Sequence, residues 1–179
     1  MFNQGVWFKI SLIVIVIVLL IVGARNYSHC PITQEFKRVN GDSLIPSVKP
    51  GTQVKLYGGY YACNPVQRGD LAAYHYGGEI EPLAKFVRGI PGDTFGLEKV
   101  GSDYHILING SVLKNSQLLP YILTEAQYNL LQLYVRDDNG VIPKDAYLIM
   151  GDRQYGTVDS TKVGLVGKKD LIGKLVPTF

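Results

Sequence analysis

Three histidines, one serine in a turn-rich loop and one lysine in an apolar run are the residues of this sequence whose types could do chemistry. His29, His75 and His105 are scattered without the spacing that gathers metal ligands, and His75 stands between Tyr74 and Tyr76, so all three read as structural or surface residues and no metal site is expected. Nothing around His75 or His105 matches a local signature of a Ser-His-Asp triad, and no Gly-rich phosphate loop or zinc motif is present. Ser43 lies in the loop NGDSLIPSVKPG at 40–51; taken bare it is a turn hydroxyl, which becomes a nucleophile only where a base takes its proton. Lys85 is flanked by Leu83, Ala84, Phe86 and Val87. A lysine is a base only when neutral, which its free pKa of about 10.4 prevents at neutral pH unless burial penalises the ammonium. Taken bare, Lys85 is a surface strand lysine.

The elements that must position these residues are short strands. TQVKLY at 52–57, DLAAYHY at 70–76, LAKFV at 83–87, YHILI at 104–108 and AYLIM at 146–150 are strand-forming runs. Between them stand turn signals: Lys49-Pro50-Gly51, Gly58-Gly59, Ile90-Pro91-Gly92-Asp93 and the type I′ pair Asn109-Gly110. One helix is expected, opening on the capping-box pattern Thr124-Glu125-Ala126-Gln127 and running to about Leu133, before a loop at Asp137-Asp138-Asn139-Gly140. The fold class is mainly β, with antiparallel sheets large enough to bury a core.

Four segments give the two reactive residues a context: GDSLIPSVKPG at 41–51, RGDLAAY at 68–74, AKFVRGIPGD at 84–93 and GDRQYGTVDSTKVGLV at 151–166. In this order, behind an N-terminal apolar segment, they resemble the boxes of type I signal peptidases, the membrane-anchored Ser-Lys endopeptidases that remove signal peptides. The resemblance implies a signal-peptidase-like antiparallel β catalytic domain in which Ser43 is the nucleophile and Lys85 the general base, with no metal or other cofactor. The Ser43 backbone N–H would serve the oxyanion hole. Some members add a serine hydroxyl two residues earlier, but Gly41 stands there. Thr157 falls where the family has a serine whose hydroxyl holds the lysine, and Asp152 and Asp159 read as loop-ordering carboxylates. Two departures stand in the last box: Arg153-Gln154 replaces the family's Asn-Arg, and Thr161 replaces the arginine after Asp-Ser. The salt bridge of that arginine to Asp159 is then absent, or is replaced by Lys162 or Arg153. Val39, Leu44, Val48, Leu83 and Ala84 are the expected lining of pockets for small substrate side chains. The resemblance implies exported precursor proteins as substrates. Two alternatives remain: a conjugation-type peptidase maturing pilin precursors, and a catalytically silent, membrane-tethered β scaffold that binds peptides.

Composition bounds the rest. The chain has 179 residues, with 18 Lys+Arg against 15 Asp+Glu for a net charge of +3, and a mean hydropathy of +0.08. Residues 1–25 carry Lys9 and Arg25 as their only charged side chains, leaving 16 bases against 15 acids beyond them. The apparent basicity therefore belongs to one segment and offers nothing to nucleic acid. The run ISLIVIVIVLLIV at 10–22 has no amphipathic face, and residues 5–24 would span about 30 Å as a helix. The expected domains are an N-terminal membrane anchor at 1–25, with a cleavable signal as the rival reading, and a catalytic domain at 26–179. The expected location is the cell membrane, single-pass and in contact with lipid, with the catalytic domain on the extracytoplasmic side. Cys30 and Cys63 could then form a disulfide or remain free thiols, and spacing does not choose between them.

Overall fold

Period-two alternation of buried and less buried side chains marks the strands at 53–58, 83–89 and 171–177, whereas those at 71–74 and 146–150 are buried almost throughout, and the strands carry the site. In the computed structural model residues 30–77, 81–155 and 157–178 are described. The chain order is β1 (Thr33–Arg38), β2 (Gln53–Gly58), the one-turn helix α1 (Tyr60–Cys63), β3 (Leu71–Tyr74), β4 (Leu83–Gly89), β5 (Phe95–Val100), β6 (Asp103–Ile108), β7 (Ser111–Val112), β8 (Ile122–Leu123), α2 (Glu125–Asp137), β9 (Ala146–Met150), α3 (Ser160–Val163), β10 (Val166–Gly167), a 3-10 turn (Lys168–Asp170) and β11 (Leu171–Pro177). These elements lie in one compact unit, Pro31–Phe179. The expected N-terminal anchor and His29 lie outside the described residues, among which no helix is long and apolar enough to cross a membrane.

One sheet has the order β1-β2-β11-β3-β4-β9-β10, and a second has β5-β6-β7 with β8 also paired to β6. The named strand pairs are all antiparallel. All five expected runs form strands, although the 70–76 run is paired only over Leu71–Tyr74. Two unexpected strands have instructive causes. TQEFKR in β1 exposes every residue, so it has no apolar face to read and exists only by pairing along the edge of β2. LIGKLVP in β11 enters the middle of the sheet between β2 and β3, where its Gly173 sits so close to β2 that an added Cβ would collide with the Tyr57 carbonyl oxygen.

Two local signals form as expected. Asn109 and Gly110 have φ of 51° and 75°, and the hairpin closes with Ile108 opposite Ser111. Thr124 accepts from the Gln127 N–H while the Gln127 side chain accepts from the Thr124 N–H, completing the capping box of α2. The helix continues to Asp137, past the expected end near Leu133, because Tyr134 and Val135 pack on the core of the second sheet with Phe95, Ile106 and Leu131. A further apolar cluster of Val39, Leu44, Val48, Val54, Leu56 and Leu175 lies beneath the loop that carries Ser43. Cys30 and Cys63 are both disulfide-bonded, so neither is a free thiol.

Candidate active site

β4 alternates so that Lys85, Val87 and Gly89 fall on one buried face while Ala84, Phe86 and Arg88 are partly exposed. Lys85 is 3% exposed and lies across the β3 pairing from Ala72, which is fully buried. Its Nζ is 2.9 Å from Ser43 Oγ and donates to the Ala84 carbonyl at 3.0 Å. Burial pushes its pKa below the ordinary lysine value, against the opposing field of the Asp159 carboxylate, and burial prevails. The sequence places Ser43 and Lys85 42 residues apart; the fold brings them into hydrogen-bond contact.

Ser43 is held by its main chain. Its carbonyl accepts from the N–H of Asp152 at 2.7 Å and of Arg153 at 3.2 Å, so the segment after β9 grips the serine loop. The Ile45–Pro46 bond that follows is cis. The Asp152 side chain is fully buried and accepts from the Ser47 hydroxyl, from the Ser116 N–H and hydroxyl, and from Arg88 at 3.1 Å. Burial alone would raise its pKa, but the Ser116 and Ser47 hydrogen bonds and the Arg88 charge together hold it below the usual carboxylate value. Asp152 therefore ties its own segment to the loops of Ser47 and Ser116. Arg88 and Ser116 were missed. Arg88 stands where the β4–β9 register shifts between Val87 and Gly89, a bulge that single-sequence reading does not reveal, and Ser116 belongs to a loop with no distinctive pattern.

The second carboxylate differs from expectation. Asp159 is 2% exposed and accepts from the Gly151 N–H at 3.0 Å, from the Thr161 N–H at 3.0 Å and from the Thr161 hydroxyl at 2.7 Å. The expected cationic substitutes do not hold it: Arg153 pairs with Asp42 at 2.5 Å, and no ion pair joins Lys162 to Asp159 among the described residues. Thr161 itself fills the place, because a hydroxyl and an N–H two residues on fit an N-cap carboxylate at the start of α3. The Thr157 hydroxyl donates to Asp159, and the hydrogen bonds of Lys85 Nζ among the described residues go to Ser43 and the Ala84 carbonyl. Ser160 takes a packing role, its hydroxyl accepting from the Ile149 N–H at 2.8 Å.

A cleft of about 230 Å³ opens beside the pair. Of the residues named for the substrate pockets, Val39, Leu44, Leu83 and Ala84 line it, and Val54, Leu56, Ala73 and Leu175 line it beside them. Val48 does not line the cleft; it is buried in the cluster beneath. Lys37, Arg38 and Glu81 put charge at the rim. Two further ion pairs of the four segments brace the scaffold. Arg68 grips Asp93 through contacts of 2.5 and 2.6 Å, and Asp70 accepts from Lys174 at 2.6 Å. No group of three or more potential metal ligands occurs among the described residues.

An antiparallel β scaffold presenting a serine and a buried, deprotonation-prone lysine at an apolar cleft has the parts of a hydrolase. The family model described as signal peptidase, peptidase S26, matches residues 6–179. Signal peptidase IB of Staphylococcus aureus strain COL is 27% identical over 174 residues, which cover 93% of this chain and 84% of the relative. Signal peptidase I of Leptolyngbya laminosa is 25% identical over 170 residues, covering 90% and 74%. A solved signal peptidase I from Enterococcus faecalis V583 overlaps 63% of this chain and 98% of its own, with 20% identity and a TM-score of 0.41. The chain belongs to the signal peptidase family, peptidase S26, and is a peptidase of the type I group.

Proposed function

We propose that this chain cleaves N-terminal signal peptides from exported precursors by a Ser43–Lys85 dyad and an acyl-enzyme. The observation that carries the reading is the 2.9 Å approach of a buried lysine, its pKa lowered by desolvation, to a serine hydroxyl at the edge of an apolar cleft. Neutral Lys85 accepts the Ser43 proton as Oγ attacks the scissile carbonyl. The ammonium returns that proton to the leaving amine, and the neutral amine then activates the water that releases the acyl group. The Ser43 backbone N–H is the proposed oxyanion donor. Gly41 lends no side chain, and a Cβ there would meet nothing within 4 Å. Small apolar side chains of the substrate suit the cleft lined by Val39, Leu44, Leu83 and Ala84. Residues 1–25 are proposed as a single-pass anchor in membrane lipid, with the catalytic domain at 26–179 on the extracytoplasmic side.

The test is to co-express a secretory precursor with the wild type, Ser43→Ala or Lys85→Ala. Processing should survive only in the wild type, each substitution lowering turnover by about 10⁴-fold or more. Equal processing in all three would remove the proposal.

A further inference from the structure

The amide of Gln127, at the start of α2, lies on the far side of Thr161 from Asp159. Gln127 Nε2 donates to Thr161 Oγ1 at 2.9 Å, and Thr161 Oγ1 donates to Asp159 Oδ1 at 2.7 Å. The directions are forced. Gln127 Oε1 is occupied by the Thr124 N–H at 2.9 Å, so the capping box fixes which end of the amide faces Thr161. An amide nitrogen can only donate, which fills a Thr161 lone pair and leaves the hydroxyl proton for Asp159. Asp159 in turn accepts from Thr157 and from the Gly151 N–H.

We propose that Gln127 and Thr161 form a positioning relay that holds and shares the Asp159 carboxylate, which also accepts from the Gly151 N–H next to the Ser43 carbonyl, so that the Gln127 amide is coupled to the Ser43–Lys85 pair. The proposal rests on the Ser43–Lys85 reading. The Asp159 carboxylate opposes the effect of burial on Lys85. Tyr74 of β3 and Tyr121 also feel Asp159, but burial pushes Tyr74 well above its ordinary value and Tyr121 to about 12, so neither titrates near neutrality. Asp152 and Arg88 also act on Tyr121, and the Asp152 carboxyl is held below its ordinary value. Lys37, Arg38 and Glu81 share the cleft with Lys85. Among the described residues, the Thr161 hydroxyl is the donor to Asp159 that a second side chain aligns.

Removing the Thr161 hydroxyl leaves more of the Asp159 charge acting on Lys85, which favours the ammonium and raises the pH needed to free the amine. The experiment is the pH profile of kcat/KM on a precursor peptide, measured on the full chain in detergent micelles, with Tm followed in parallel. In Thr161→Val the acid limb should move to higher pH, lowering activity on that limb by about threefold or more while the plateau is kept. Thr161→Ser should restore the limb. Gln127→Glu keeps the acceptor for the Thr124 N–H but offers Thr161 an acceptor in place of a donor, so the limb should again move alkaline. This variant decides the matter should Thr161→Val fold poorly. Thr124→Ala weakens the helix cap and should lower Tm without moving the limb. A limb that stays put or moves to lower pH in both Thr161→Val and Gln127→Glu overturns the relay. With Ser43→Ala inactive beside them, that result leaves the dyad standing, whereas an active Ser43→Ala overturns the reading beneath the relay.

Discussion

Lys85 keeps 3% of its surface and its ammonium is disfavoured by desolvation, so folding costs free energy wherever the unfolded chain would carry that charge. Its folded pKa lies below the unfolded value of 10.5. Below the folded value both states hold the proton and the full cost applies; the cost shrinks as pH rises between the two and disappears above 10.5. Lys85→Met, similar in length and apolar, should therefore be inactive yet melt at a higher temperature than the wild type at neutral pH. Thermal scans from neutral to strongly alkaline pH should show the advantage narrowing, and a Tm below the wild type at neutral pH would contradict this account.

At the scale of elements, the serine loop and the segment after β9 meet with no room between them. A Cβ on Gly151 would lie 2.7 Å from the Ser43 carbonyl oxygen and 2.7 Å from Thr157 Cγ2. Gly151→Ala must push one of these away, and the carbonyl is backbone, tied to the Asp152 and Arg153 N–H groups. The serine should retreat from Lys85, lowering kcat on the order of 10²-fold while KM changes little. Steady-state kinetics with a precursor peptide reads this directly, and unchanged kcat would show that the loop yields elsewhere. The same contact explains a limit of sequence reading. The Gly-Asp pair could be assigned a supporting role, but the closeness of its glycine to Ser43 depends on strands far apart in the chain.

Across the whole molecule, two buried carboxylates tie loops together and set the acid limit of the fold. Burial would raise both, yet Asp93 is held low by the Ile90 N–H, Asn109 and Arg68, and Asp152 by Ser116, Ser47 and Arg88. A carboxylate depressed in the folded state stabilises above its unfolded value and loses that contribution as pH falls through the folded one. Tm should therefore fall steeply once pH drops below 3.8 toward these lower values. Asp152→Asn should cost about 3 kcal/mol at neutral pH by leaving Arg88 unpaired, and its acid-induced loss of Tm should be smaller than in the wild type. Denaturant melts at neutral pH and thermal scans in acid check both.

Much of this protein was legible from short-range pattern. The strand-forming runs at 83–87 and 146–150, the Asn109-Gly110 turn and the Thr124–Gln127 capping box act within a few residues and form as read. The pairing of Ser43 with Lys85 was legible through resemblance, because the four segments keep their order. Only the tertiary structure decided what binds Asp159. A hydroxyl at 161 takes the place of an arginine, aligned by an amide 34 residues earlier. Such contacts depend on sheets and helices packing across long loops, and a side chain's polarity along the sequence does not say which distant partner satisfies it once buried. The same holds for β1, which has no apolar face, and for β11, which finds its place between strands made far earlier in the chain.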